Sequence, residues 1–131
     1  MNYCFTKFVN DSFENTREKV IEALKKEGFG VLTEIDVQAT LKKKLDVDFY
    51  KYQILGACNP KMAYQALQAE EKIGTMLPCN VILQQKSEGG PVEVSAIDSV
   101  ASMASVQNPK LQPIAQEVQQ MLKRVIEQHL N

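Results

Sequence analysis

Bulky and polar residues alternate from Tyr3 to Val9, the period of a strand with one face buried. The period then lengthens. Phe13, Val20, Ile21 and Leu24 recur at helical spacing, with Arg17, Glu18, Lys25 and Lys26 on the wet side. Asp11 followed by Glu14 predicts a capping box at the helix start. Gly28 predicts its end, because a left-handed terminal residue costs glycine least. Gly30 to Asp36 predicts a second strand, Val37 to Leu45 a short helix, and Tyr52 to Ala57 a third strand. Asn59-Pro60 opens the next helix: Asn is a strong N-cap, and Pro at the first helical position has no N–H to lose. Ala63, Ala66 and Leu67 form its inner stripe, and Gly74 is its natural end.

Asn80 to Gln85 and Pro91 to Ile97 predict two strands joined as a hairpin by Lys86-Ser87-Glu88-Gly89-Gly90. Val92, Val94 and Ala96 point one way, Glu93 and Ser95 the other. Asp98 caps a short helical turn through Met103, Val106 to Gln112 reads as loop, and Pro113 opens a last helix. The apolar stripe of that helix is Ile114, Val118, Met121, Leu122, Val125 and Ile126. The order of elements predicts a two-layer α+β domain: a mainly antiparallel sheet of about five strands, with the helices packed on one face.

Length and composition narrow this further. The 131 residues suit a single domain, and 44% hydrophobic with 24% charged residues is ordinary globular composition. Fifteen basic against sixteen acidic residues lack the positive excess that phosphate neutralisation needs, so no nucleic-acid partner is expected. No apolar run approaches the ~18 residues of a membrane span, and the N-terminus has no signal-peptide pattern. A cytoplasmic protein is the expectation. Cysteines at 4, 58 and 79 are odd in number and widely spaced, which fits neither a disulfide framework nor a Cys-x-x-Cys motif.

Cys58 is the sharpest candidate for chemistry. It ends a strand directly before a helix start, where unpaired N–H groups and the helix dipole favour an anion and can activate a thiol. Burial as a small apolar residue is the commoner fate of a free cysteine. Cys79 follows Leu77-Pro78 and opens a strand, where packing again outweighs function. Together the two sulfurs would still leave two ligands of a tetrahedral metal site missing, so no metal is assigned. His129 lies near the end of the last helix on a face expected to be exposed, which argues against a Cys-His dyad. Glu34 and Asp36 straddle Ile35 and share one face of a strand, a pairing that could hold a cation, although a solvated face and an N-cap explain it as well. Met62, Met76, Met103 and Met121 with Tyr50, Tyr52 and Tyr64 could line an adaptable apolar pocket. Lys42-Lys43-Lys44 reads as a solvated helix face.

Five segments, taken in order, resemble the domain of unknown function 302 (DUF 302) family. They are Gly28-Phe29-Gly30, Thr33 to Asp36, Ile54 to Pro60, Leu77 to Val81 and Val92 to Asp98. The resemblance implies a compact α+β fold with an antiparallel sheet backed by helices, and a homodimer. It implies no activity. Ser99-Val100 after Asp98, and Phe49 to Tyr52 without a proline, depart from the family pattern, and the polar C-terminal helix is its least typical part. The leading functional expectation is a non-enzymatic protein that binds a small molecule or ion, an anion being the ionic partner that the helix start favours, near Cys58-Asn59-Pro60, with Asn59, Cys79, Glu34 and Asp36 as further candidates. The alternatives are a thiol-dependent redox enzyme or sensor using Cys58, and a homodimeric interaction module without a ligand. No catalytic residue and no cofactor follow from the sequence.

Overall fold

The computed structural model describes residues 2–130. The chain runs β1 (Cys4–Val9), α1 (Phe13–Lys26), β2 (Gly30–Asp36), α2 (Val37–Leu45), β3 (Lys51–Cys58) and α3 (Pro60–Ala69). A 3₁₀ turn (Ile73–Met76) then leads to β4 (Cys79–Gln85), β5 (Val92–Ile97), α4 (Ser99–Ser102) and α5 (Gln112–Glu127). The strands form one sheet in the order β1-β5-β4-β3-β2, and each neighbouring pair is antiparallel. The expected α+β class, strand number and pairing are therefore the observed ones. No helix among the described residues is long and apolar enough to cross a membrane.

One face of the sheet is the core face. Leu55, Ala57, Val81, Leu83, Val92, Val94 and Ala96 on it are fully buried. α5 lies over β1 and β5, and α1 over β4. Val20, Ala23 and Leu24 of α1 and Val118, Leu122, Val125 and Ile126 of α5 fill the space between the layers. Full burial of each such valine, leucine or isoleucine stabilises the fold by about 1.5–3 kcal/mol before the entropy of ordering is subtracted. α2 has no buried residue, as the basic Lys42–Lys44 face led one to expect.

Four local expectations are corrected. Ser12, not Asp11, caps α1: its Oγ accepts the Asn15 N–H at 3.1 Å. Asp11 accepts the Ser12 N–H instead and pairs with Lys19 at 2.9 Å, and Lys19 is the main reason its carboxyl is held down to about 2. α3 stops at Ala69 rather than Gly74, because Asn108 reaches back from a distant loop and donates to the Ala69 carbonyl at 2.8 Å. α5 begins at Gln112, which puts Pro113 in its second position. His129 is not on a free face. Its Nε2 lies 2.7 Å from Glu27 Oε2, and Arg124 Nη2 donates to Glu27 Oε1 at 2.8 Å. This cluster joins the end of α1 to the end of α5, with the Glu27 side chain only 13% exposed.

Candidate functional site

The site is built where β3 and β4 end and α3 begins. Across the β3–β4 pair, Gly56 faces Asn80 and Ala57 faces Cys79. Gly56 must be glycine for steric reasons: a Cβ there would lie 2.8 Å from the Pro78 Cγ and collide with the Thr33 hydroxyl. The Leu77–Pro78 peptide is cis and brings the Pro78 ring against this strand end. Asn59 then turns the chain into α3. Its Oδ1 accepts the Met62 N–H at 3.2 Å, and its Nδ2 donates to the Glu27 carbonyl at 3.1 Å. One side chain thus caps α3 and ties it to the end of α1. Gly28, at φ 82°, lies so close that a Cβ would approach the Asn59 amide to 3.0 Å.

These elements enclose an apolar cleft of about 260 Å³. Ala57 and Cys79 line it from the sheet, Met62 and Ala66 from α3, and Ala115 and Val118 from α5. The space exists because β3, α3 and α5 all present alanine there (Ala57, Ala63, Ala66 and Ala115) where larger side chains would meet. No charged side chain lines it, and its amide and hydroxyl are already engaged. Asn59 is used as above, and the buried Ser99 donates from Oγ to the Ala115 carbonyl at 2.7 Å. The two thiols, Cys58 and Cys79, are left as the wall's uncommitted polar atoms. Cys79 is buried, which pushes its thiol up to about 11, with the nearby Cys58 adding to the shift. A broader groove of about 510 Å³ runs between the start of α1 and the β4–β5 hairpin. Lys51, Lys86, Glu14 and Glu88 line that groove, and charges of both signs give it no single chemistry.

The structure brings Cys58, Asn59 and Cys79 onto one cleft and leaves Glu34 and Asp36 out of it. Glu34 accepts from Arg17 Nε at 2.8 Å, and Asp36 caps α2 by accepting the Ala39 N–H at 2.9 Å. Asp98 does not join them: it caps α4 at the end of β5 and accepts from Gln119 at 3.0 Å. Of the methionines and tyrosines, Met62 and Met103 line the cleft, whereas Tyr64 is 65% exposed and Tyr50 stacks on Phe49. Because the wall is uncharged, it suits a neutral ligand rather than the anion that the helix start implies. Phe29, Pro78, Ser99 and the α5 residues were not foreseen as site residues. Phe29 and Pro78 lay in family-like segments that assign no role, and the α5 residues were signalled only by an apolar stripe, which does not distinguish core from cleft wall.

The profile of the family described as "Domain of unknown function DUF302" matches residues 5–129, α5 included. In three dimensions the chain is similar to the uncharacterized conserved protein DUF302 from Bacillus stearothermophilus, known from a crystal structure. The two share 28% identity over 98% of this chain and 99% of the other, with a TM-score of 0.89. No curated protein matches the sequence.

Proposed function

The chain belongs to the DUF302 family, and we propose that it is a non-enzymatic protein that holds a small, uncharged, largely apolar molecule in the cleft beside Cys58-Asn59-Pro60. The observation that carries this reading is the cleft itself: about 260 Å³ with no charge on its wall and its amide and hydroxyl hydrogen-bonded elsewhere. Such a wall repels ions, since desolvating a charge with no partner is costly. Apolar contacts drive entry instead, and an occupant removes the penalty that an empty apolar space carries. A thiol-dependent enzyme fits less well. Its Cys58 would need a base, and His129 is held by Glu27. A cytoplasmic, reducing setting accords with three free cysteines.

Toluene and indole are suitable probes. At about a hundredfold excess over Kd, a ligand that binds only the folded state adds roughly 2.7 kcal/mol, read as a rise in Tm. Ala66→Phe, which fills the cleft from α3, should abolish that rise while preserving the fold by circular dichroism. A wild-type Tm unmoved by either probe, with no small molecule retained in native mass spectrometry, would overturn the reading.

We also propose that two copies associate through the sheet face opposite α1 and α5. Ile35, Ile54 and Ile82 form a row across that face, and Phe8, 61% exposed, stands on the same side. An isologous contact buries such a row against itself. Sedimentation should give a dimer that Ile82→Lys converts to a monomer; a wild-type monomer at high concentration would remove the proposal.

A further inference from the structure

A second hollow adjoins the cleft. It lies between α4, the loop after it and the start of α5, and its volume is about 340 Å³. Met103 and Ala115 line both spaces, so the two are a side chain's width apart. The backbone around this partition is tied. The buried Ser99 hydroxyl holds α4 to α5 by donating to the Ala115 carbonyl at 2.7 Å, and Asp98 caps α4 by accepting the Val100 N–H at 2.9 Å. Alanine has no side-chain torsion that could clear the way. The movable part is Met103, an unbranched side chain with three rotatable bonds. Polarity differs between the spaces. The cleft's amide and hydroxyl are engaged within the protein. The hollow is walled by Val100, Val106 and Leu111, and its polar side chains, Gln112 and Gln116, are exposed and one turn apart on α5. Among the described residues no charged side chain lines either space.

From this adjacency we infer that cleft and hollow form one elongated site, gated by Met103, for a neutral amphiphile: an unbranched alkyl chain with an uncharged hydrogen-bonding head such as an alcohol or a primary amide. An apolar cavity of about 150 Å³ is enough for benzene. The cleft at about 260 Å³ takes a ring or a short chain, and the hollow behind Met103 gives a longer chain room to continue. At 8% exposure Met103 fills the passage, and rotation about its side-chain torsions opens it with no movement of the backbone. The passage is one side chain wide, which suits an alkyl chain rather than a ring system. The chain lies in the cleft, where its apolar area leaves water. The head lies at Gln112 and Gln116, whose amides both donate and accept. A neutral head needs no counter-charge, and neither wall offers one.

The long site rests on the cleft being a ligand site, and the probes separate the two: toluene reports on the cleft alone, 1-decanol on cleft and hollow together. Heteronuclear NMR titration of the full chain gives both affinity and place. 1-Decanol should bind more tightly than 1-hexanol, by up to about fourfold for each added methylene. It should also shift the side-chain amide signals of Gln112 and Gln116, which toluene leaves in place. Ala104→Trp fills the hollow from an exposed position outside the cleft wall. It should weaken 1-decanol at least roughly tenfold, the loss of about two buried methylenes, and leave toluene binding unchanged. Met103→Ile, close in volume but stiff at its first torsion, should weaken 1-decanol at least roughly fivefold. Gln112→Ala/Gln116→Ala should weaken it about two- to tenfold, the worth of a hydrogen bond. Circular dichroism checks that each variant folds. If toluene binds but 1-decanol ignores Ala104→Trp or Met103→Ile, or leaves both glutamine signals unmoved, the long site is wrong and the cleft reading stands. Failure of toluene and 1-decanol alike removes both.

Discussion

Replacing Asn59 tests how the site is held in place. Asn59→Ala removes two hydrogen bonds to backbone at once, the cap to the Met62 N–H at 3.2 Å and the tie to the Glu27 carbonyl at 3.1 Å, along with a long, weak one to the Met121 sulfur. Loss of an N-cap costs about 1 kcal/mol. A partly buried carbonyl left without its donor adds about 1–2 kcal/mol, the lower part of the usual range. The sum is about 2–3 kcal/mol, or roughly 6–15 °C in Tm for a domain of this size. Asn59→Asp separates the two terms. Aspartate caps as well as asparagine does, so the Met62 bond remains, but it has no N–H to give Glu27 and faces that carbonyl with negative charge. Its expected cost is about 1–2 kcal/mol, from the tie alone. Urea denaturation by circular dichroism measures both, with an unchanged m-value showing that the transition stays comparable. If Asn59→Asp falls within about 0.5 kcal/mol of wild type, the link between α3 and α1 contributes nothing and the reasoning is wrong.

Gly56→Ala should destabilise by about 1–3 kcal/mol, since the new Cβ meets the Pro78 ring and the Thr33 side chain; a denaturation midpoint equal to wild type would show that the strand end is looser than described. Arg124 is the main group holding the Glu27 carboxyl below its usual 4.5. A lowered carboxyl contributes stability above its unfolded pKa and loses it as pH falls through the folded one, so stability should decline from about pH 4.5 downward. Glu27→Gln should lower stability at pH 7 and flatten that acid limb; an unchanged limb would mean that the cluster does not contribute. Cys79, buried and pushed up to about 11, should resist iodoacetamide at pH 8 in the folded protein and react once urea unfolds it, and rapid native labelling at Cys79 by peptide mass spectrometry would contradict its placement.

The sequence was a good guide where a residue's role depends on its near neighbours. Alternation in Val92–Ile97 marked the buried face of β5, and the Asn59-Pro60 start is a local device, as is the Asp36 cap of α2. It misled where a distant group intervened. Asn108 ends α3 early, and Glu27 takes His129 from the face where helical spacing alone would leave it wet. The cleft belongs to the second kind. Cys58 and Asn59 stood out because a thiol beside a helix start is visible in one dimension. The chemistry of the place was not visible, because it depends on what the other elements bring. Alanines from β3, α3 and α5 leave the space, Ser99 and Asn59 spend their hydrogen bonds elsewhere, and Met62 and Met103 join Cys58 and Cys79 in lining it. The residues alone determined the elements, their caps and the buried stripes, since these follow from periods of two and 3.6 and from single-residue conformational preference. Whether the walls beside the Cys58 turn are charged or apolar was decided by tertiary packing, because the polarity of a cleft is the sum of walls far apart in the chain.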